Sequence, residues 1–371
     1  MTPSDGAAAP RVTERWGGGR PPVCYGALDL GTNNCRLLIA TPDGSPEGDG
    51  SGFRVVEAFS RIVRLGENLS RTGRLDDAAM DRAVAALGVC ADKLRRRRAV
   101  RVEAVATQAC RAAENGPAFV ERVAAETGIG LRIIAPAEEA RLSVAGCAAL
   151  TDPSAPAALV VDVGGGSTEL SWVDLERTRA EGRSHVAAWL SVPLGVVTLA
   201  ERFPEPVPAD DAWFRAMVEH VKAEVAKFEA ADPLRPHFTD GRAHLIGTSG
   251  AITSLAGLHL GLRRYERSRV DGLWLTQADC RAAADRLIAL DRSGRAAEPC
   301  IGPDRADLVL AGAAILQAVQ ELWPCERVRV ADRGLREGLL MSLMAERRAS
   351  AGNSRRRRRR SGGASSPGDA R

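Results

Sequence analysis

The sequence has few of the residues that form the most common catalytic and cofactor-binding motifs. Only five of its 371 residues are histidine, and none belongs to an H-E-x-x-H or H-x-x-E-H pattern, which excludes the usual histidine-based zinc sites. The eight cysteines include no C-x-x-C pair, so we expect most of them to be buried free thiols. Neither a P-loop sequence nor a G-x-G-x-x-G dinucleotide fingerprint occurs. Carboxylates are therefore the side chains left to bind a hard cation.

Long apolar runs are also missing. The longest uncharged stretches, 186–200 and 243–262, contain Pro193 in the first case and two histidines and four glycines in the second. Neither is typical of a helix that spans a membrane. The first twenty residues lack the apolar segment of a signal peptide. We therefore expect a cytoplasmic protein that does not bind a membrane.

Lysine is scarce, with three residues among 51 basic ones, and the positive charge is unevenly distributed. Residues 355–371 carry seven arginines and one aspartate, so this tail contributes +6 to a total of +4 and leaves residues 1–354 at −2. A slightly acidic body does not favour DNA binding. The six arginines at 355–360 predict a solvated tail. Whether the tail is inert or captures polyanions is left open by the sequence.

Two segments share a strand–turn–strand pattern. Residues 27–40 read A-L-D-L-G-T-N-N-C-R-L-L-I-A, and residues 159–173 read L-V-V-D-V-G-G-G-S-T-E-L-S-W-V. In both, an aspartate stands two residues before the first glycine of the turn, at Asp29 and at Asp162. This repetition predicts a duplicated architecture with one hairpin in each half.

The glycine-rich turn of the second segment predicts a close approach of ligand to backbone. Three consecutive glycines weaken a strand pattern, because glycine packs no side chain and loses much entropy on folding. Gly164, Gly165 and Gly166 are therefore candidate phosphate ligands through their N–H groups. Ser167 and Thr168 follow them and offer hydroxyl donors.

Charged and polar residues beside both turns extend this candidate site. Thr32 and Asn33 have side chains suited to phosphate oxygens, although an ordinary polar turn explains them equally well. Asp29 would reach a phosphate only through a metal or a water, since two negative charges repel. Asp162 and Glu169 supply hard oxygen ligands, and we predict that they bind Mg²⁺ or another divalent cation.

Elsewhere, the pattern alternates between strands and helices, which is typical of two α/β domains that face a cleft. Helices are expected over 76–98, 115–128, 137–150, 210–231, 249–260, 276–290, 305–322 and 335–347. Strands are expected over 100–107, 131–134, 244–248 and 327–331. The G-T-S-G turn at 247–250 could bind an anion or simply begin a helix.

Together these motifs resemble the actin/Hsp70/sugar-kinase superfamily and, within it, the exopolyphosphatase/guanosine pentaphosphate phosphatase (Ppx/GppA) family. The similarity is carried by six segments in family order: 27–40, 106–115 (A-T-Q-A-C-R-A-A-E-N), 133–142 (I-I-A-P-A-E-E-A-R-L), 159–170, 246–256 and 331–340 (A-D-R-G-L-R-E-G-L-L). The resemblance implies an α/β, two-domain, ribonuclease H-like fold with an interdomain cleft. The implied domains are 23–148 and 149–345, with the closing helix packed on the first, between disordered segments 1–22 and 346–371. The chain resembles a short form that lacks the helical C-terminal domain of longer members.

The resemblance also implies roles for two residues. The second glutamate of E-E-A-R-L, Glu139, would be the catalytic base that activates water, and the like charges of bound phosphates and of Glu138 would raise its pKa. Composition alone favours a solvated helix face formed by Glu138, Glu139 and Arg141, and only the family resemblance reverses this interpretation. Arg111 would be a phosphate ligand, because a guanidinium can bind two oxygens at once.

The implied function is hydrolysis of the terminal phosphoanhydride of inorganic polyphosphate. Guanosine pentaphosphate is the alternative substrate within the family, and a homodimer is possible. Two hypotheses from other classes stay open, a small-molecule kinase of the same superfamily and a catalytically silent nucleotide-binding regulator. The E-E-A-R-L segment favours a hydrolase over the kinase, and the presence of Glu139 argues against a silent regulator.

Overall fold

The structure, a computed structural model, describes residues 23–43 and 52–346. The predictions for the N-terminal segment 1–22 and for the arginine-rich tail lie outside these residues. Two β-sheets form the centre of the described chain, each flanked by helices. No helix within the described ranges is long and apolar enough to cross a membrane. All eight cysteines are buried and free, as predicted.

The first sheet has five strands in the order β3-β2-β1-β4-β5. Its strands are β1 (Tyr25–Leu30), β2 (Asn34–Pro42), β3 (Phe53–Ile62), β4 (Arg101–Ala106) and β5 (Arg132–Ile133). The hairpin β1–β2 and its neighbour β3 are antiparallel, whereas β4 and β5 run parallel to β1.

The second sheet repeats this arrangement. Its strands are β6 (Ala157–Val163), β7 (Thr168–Asp174), β8 (Val186–Val192), β9 (His244–Thr248), β10 (Trp274–Thr276) and β11 (Arg327–Ala331). Their order is β10-β11-β9-β6-β7-β8, so that β8-β7-β6-β9-β11 matches β3-β2-β1-β4-β5 in position and direction, with β10 added at the edge. The duplication predicted from the two hairpins is confirmed.

The helices follow the strands in the alternation that the sequence predicts. They are α1 (Leu69–Thr72), α2 (Asp77–Arg96), α3 (Gln108–Ala112), α4 (Gly116–Thr127), α5 (Pro136–Cys147), α6 (Leu175–Glu181), α7 (Val196–Arg202), α8 (Asp211–Val225), α9 (Arg235–Thr239), α10 (Gly250–His259), α11 (Arg267–Val270), α12 (Gln277–Ile288), α13 (Arg292–Ala297), α14 (Val309–Leu322) and α15 over 335–346. Short 3-10 turns lie at Ala148–Leu150 and Asp232–Leu234.

Most predicted elements are confirmed to within a few residues, and the misses have physical reasons. The edge strands β3, β8 and β10 are not predicted from the sequence. The sequence of β3 mixes exposed and half-buried positions because it is an edge strand, so clear alternation is lost. Helix α8 ends at Val225, six residues before the predicted end.

Helix α5 lies between the two sheets. Leu142 packs in the same apolar cluster as β1, β2 and the closing helix α15, whereas Val144 and Cys147 pack against β6 and β9 of the second sheet. Helix α15, the last helix of the described residues, packs on the first sheet although it follows the second sheet in sequence.

Glycines let α5 and α15 cross with their backbones in contact. A Cβ atom at Gly146 would lie 2.0 Å from the carbonyl oxygen of Gly334, and one at Gly338 would lie 2.1 Å from the carbonyl oxygen of Leu142. Backbone atoms cannot move aside as a flexible side chain can. These two glycines therefore fix how closely the two helices approach.

We predict that Gly338→Ala destabilises the fold by about 2–3 kcal/mol, because the added methyl group overpacks the crossing. Gly88→Ala is the matched control, since a Cβ there meets nothing within 4 Å inside α2. The free energy of unfolding of the Gly88→Ala control should rise by up to about 1 kcal/mol, because alanine has a higher helix propensity than glycine. Urea unfolding of both variants measures the difference. Equal stability of the two would show that the crossing tolerates a side chain.

Candidate active site

A cleft opens where the two hairpins face each other. Asp29 stands near the carboxyl end of β1 and Asp162 near that of β6, and both line the cleft. The carboxyl ends of central strands are where open α/β sheets bind ligands. The other predicted site residues that line it are Thr32, Asn33, Glu139, Gly164, Gly165, Gly166, Ser167 and Glu169. Glu139 and both hairpins thus meet in one cleft although they are far apart in sequence.

The tips of the hairpins touch each other through glycine. A Cβ at Gly165 would lie 3.0 Å from the backbone nitrogen of Asn33, and one at Gly166 would lie 2.7 Å from the Thr32 hydroxyl. The far side of the glycine turn is held by the first residues of α7, since Val197 N donates to the Gly165 carbonyl at 2.8 Å. Packing therefore also explains why glycine occupies these positions, because a side chain there would keep the two domains apart.

Asp162 and Glu169 lie side by side on the second hairpin. They are directly opposite residues of the antiparallel pair β6–β7, so their side chains share one face. Glu169 Oε1 accepts hydrogen bonds from Ser167 and Ser191, both at 2.8 Å, and Asp162 accepts one from Ser143 at 2.5 Å. Burial raises the pKa of Glu169 to about 7, with Asp162 contributing, and burial also raises the pKa of Asp162.

Glu139 lies in the first turn of α5 and is buried, with 8% of its surface exposed. Pro136 occupies the start of this helix, where its missing N–H costs nothing. Burial, followed by the nearby charge of Glu169, raises the pKa of Glu139 well above its usual range. A buried carboxylate with a raised pKa is suited to accept a proton near neutral pH.

The predicted influence of Glu138 on this pKa is wrong. Glu138 points outward to Arg132, with N–O distances of 2.8 Å, and the hydrogen bond from Arg132 lowers the pKa of Glu138. The side chains of the two adjacent glutamates therefore point in different directions, Glu138 to the surface and Glu139 to the cleft. Composition alone could not distinguish this from a solvated helix face.

Arg111 contacts Glu139 and does not line the cleft. Its Nη1 donates to Glu139 Oε2 at 3.2 Å and to the Ile134 carbonyl at 2.7 Å, while Nη2 donates to Gln108 at 2.8 Å. The positive charge of Arg111 opposes the rise in the pKa of Glu139. The role of Arg111 as a phosphate ligand stays a prediction, and the geometry places it behind the carboxylate.

Thr168 also differs from its predicted place. It is buried, and its hydroxyl donates to the Leu194 carbonyl at 2.6 Å, so that it ties β7 to the segment before α7. It is not among the residues that line the cleft. Successive strand residues point to opposite faces of the sheet, and Glu169 points into the cleft, so Thr168 points away from it. The Thr168 side chain therefore makes a structural contact and no contact with substrate.

Several cleft residues were missed by the sequence analysis. Arg36 lies opposite Asp29 in the β1–β2 register, and burial raises the pKa of Asp29 to about 6 while Arg36 opposes the rise. Arg305 and the segment 332–337 also line the cleft. Ser249 belongs to the G-T-S-G turn that the sequence did indicate; it lines the cleft, and its φ of 100° is a left-handed conformation that is costly for serine and typical of functional sites. The 331–340 segment was noted only as part of the resemblance.

The oxygen atoms of the cleft fit a divalent cation whose coordination shell is completed by ligands from outside the protein. Asp162 and Glu169 offer two adjacent carboxylates, and the side-chain oxygen of Asn33 is buried without a hydrogen-bond partner in the cleft. Within the described ranges, no cluster of three or more acidic, histidine or cysteine residues forms a complete metal site. Mg²⁺ commonly takes one or two carboxylates and obtains its other ligands from water and phosphates.

Comparison with known proteins identifies close similarity to one family. The sequence profile of the Ppx/GppA phosphatase family matches residues 45–347. Exopolyphosphatase 2 of Mycobacterium tuberculosis is 30% identical over 328 residues, which cover 85% of this chain and 97% of that protein. Guanosine-5'-triphosphate,3'-diphosphate pyrophosphatase of Photobacterium profundum is 30% identical over 87% of this chain, but the match spans 60% of that protein. The crystal structure of the Aquifex aeolicus Ppx/GppA family member is 28% identical, with a TM-score of 0.70, over 88% of this chain and 99% of that one.

We predict that Gly165→Ala lowers turnover much more than stability, because its methyl group pushes the two hairpin tips apart at the cleft. The effect of the larger Gly165→Val should be stronger. Gly130→Ala is the control, since its Cβ meets nothing within 4 Å. Phosphate release from polyphosphate and the melting temperature should be measured together. An equal loss of turnover and stability would show that Gly165 serves folding alone.

Proposed function

Because the chain belongs to the Ppx/GppA phosphatase family and has its two-domain, actin-like α/β fold, we propose that it is an exopolyphosphatase. It removes orthophosphate from the end of inorganic polyphosphate by hydrolysis of the terminal phosphoanhydride. The observation that carries the proposal is the position of Glu139, a buried carboxylate with a raised pKa in the cleft between the hairpins.

In the proposed mechanism, a water molecule attacks the terminal phosphorus in line with the leaving phosphate chain. Glu139 accepts the proton of this water. The backbone of Gly164–Gly166, with Ser167, Thr32 and Asn33, holds the nonbridging oxygens. Mg²⁺ bound by Asp162 and Glu169 would neutralise the charge that develops on these oxygens. Such a site acts by positioning and electrostatics, as phosphoryl transfer requires.

The buried carboxylates also explain why a cation would be needed. Asp29, Glu139, Asp162 and Glu169 would repel a polyanion if all were ionised together. The raised pKa values show how unfavourable these negative charges are in the cleft. A divalent cation bound with the substrate would compensate both the carboxylates and the phosphates.

Guanosine pentaphosphate is the second candidate substrate. It is favoured by the Photobacterium profundum relative, but this chain matches only 60% of that protein. The same proton transfer to Glu139 would serve removal of its terminal 5' phosphate. Parallel assays of phosphate release from polyphosphate and guanosine pentaphosphate, with and without Mg²⁺, distinguish the two. A cytoplasmic location and a homodimer stay predictions.

We predict that Glu139→Gln lowers turnover by about 10²–10⁴-fold, because glutamine keeps the shape but cannot accept the proton. Binding of polyphosphate should persist or tighten, since one negative charge is removed. Glu138→Gln is the matched control, because Glu138 pairs with Arg132 outside the cleft. Phosphate release and direct binding measure the two effects. Near-normal turnover of Glu139→Gln would show that another group is the base.

We also predict that Arg111→Gln shifts the acid limb of the pH–rate profile to higher pH. Loss of the Arg111 charge raises the pKa of Glu139 further, and the base works only above its pKa. Arg111→Lys should partly restore the profile, because it keeps the charge. If Arg111 is instead a phosphate ligand, KM should rise in Arg111→Gln while the acid limb stays in place.

A further inference from the structure

Two grooves lead away from the cleft, and they differ in charge. One runs past Asn33 and Leu308 between the domains, and its lining includes five carboxylate side chains and two arginines. The other, which we call the basic groove, is lined by Ser60, Arg61, Ile62, Val63, Arg64, Arg82, Asp304 and Arg305. A polyanion that extends out of the cleft is repelled along the first groove and attracted along the second.

The basic groove adjoins the cleft at one shared residue. Arg305 lines both. Arg36 also lines the cleft, but it shares a face of the β2–β3 pair with Ser60, and Arg61 points to the other face because successive strand residues alternate. The guanidinium groups of Arg36 and Arg305 both come within 4 Å of the position that a Cβ at Gly250 would take. Positive charge therefore extends from the cleft into the basic groove.

Part of this positive charge is not neutralised. Within the described ranges, no carboxylate oxygen lies within 4.0 Å of the guanidinium of Arg36, Arg61 or Arg305. Arg61 is exposed, and its guanidinium lies 5.3 Å from the centre of the Phe59 ring, a contact that orients the charge without cancelling it. Arg61 is therefore free to bind an anion from solvent.

The other arginines hold the walls of the basic groove in place. Arg64 connects the domains, with Nη2 at 3.3 Å from both the Asp304 carbonyl and Asp307 Oδ1. Arg82 Nε donates to the Val63 carbonyl at 3.0 Å. The path is thus shaped by contacts that exist before a ligand arrives, which lowers the entropic cost of binding.

We propose that the basic groove binds the part of a polyphosphate chain that extends beyond the reacting end, with Arg61 as a ligand remote from the chemistry. The proposal rests on the proposed function and adds to it a source of chain-length preference. A short chain is confined to the cleft, whereas a long chain also reaches Arg61. Contacts of this kind are electrostatic, so they weaken as salt rises.

The test compares Arg61→Gln with Arg54→Gln on tripolyphosphate and on long-chain polyphosphate. Arg54 is the matched control, because it is an exposed arginine on the same strand β3, about 23 Å away by the rise of a strand. Arg61→Gln should raise KM for the long chain about two- to five-fold at low salt, with unchanged kcat and unchanged KM for tripolyphosphate. Arg61→Glu should have a larger effect. Arg54→Gln should behave as the wild type on both substrates.

A direct binding measurement tests the basic groove independently of whether the protein hydrolyses polyphosphate. Long-chain polyphosphate is titrated into Glu139→Gln and into the double variant Glu139→Gln/Arg61→Gln, so that no turnover is needed. The double variant should bind more weakly and show a salt dependence of log Kd that is less steep by about 0.7. If the wild type releases no phosphate from polyphosphate, the proposed function fails, and this titration still tests the basic groove.

Two results would overturn the proposal. One is equal KM and Kd values for the Arg61 and Arg54 variants on long chains at low salt. The other is an equal loss of affinity for tripolyphosphate and for long chains in Arg61→Gln, since Arg61 would then act on the part of the chain inside the cleft. A greater loss for long than for short chains, found only in the Arg61 variants, supports the assignment.

Discussion

Four carboxylates share one partly buried cleft, and the rest of the site is arranged around their mutual repulsion. Asp29, Glu139, Asp162 and Glu169 come from both hairpins and from the first turn of α5. Burial is the largest cause of the raised pKa in each of them. A folded chain can hold such groups only if packing elsewhere fixes the backbone, because each carboxylate would be better solvated in water.

The packing of α5 against both sheets supplies that fixed backbone. Its contact with α15 is made by peptide groups at Gly146 and Gly338, so the position of the first turn of α5 cannot drift as side chains change rotamer. Ser143, one turn further along the same helix, reaches Asp162 on the second hairpin. A single helix therefore positions Glu139 and also supports the carboxylate pair opposite it.

Arginines surround this acidic centre and divide into two groups. Arg111 contacts Glu139 directly and moderates its pKa, whereas Arg36 and Arg305 line the cleft and have no carboxylate within ion-pair distance in the described chain. The contact between Arg111 and Glu139 adjusts the pKa of the proposed proton acceptor. The second group leaves positive charge available to an anionic ligand, and it continues outward at Arg61. Positive charge close to the buried carboxylates suits a substrate whose reacting end must be neutralised and whose remainder must be held.

Two hairpins, the strand–helix alternation and nine cleft residues of the hairpins follow from the sequence, whereas Glu139 follows from the family resemblance. These features depend on local patterns, in which strand periodicity, turn glycines and helix caps are encoded by neighbouring residues. The edge strands β3, β8 and β10 were missed because half-buried strands lack a clear period. The tertiary structure alone decided that Glu139 turns inward while Glu138 pairs with Arg132, that Arg111 lies behind Glu139, and that Thr168 faces Leu194. Strand register and helix crossing set these outcomes, and both arise from contacts between residues far apart in the chain.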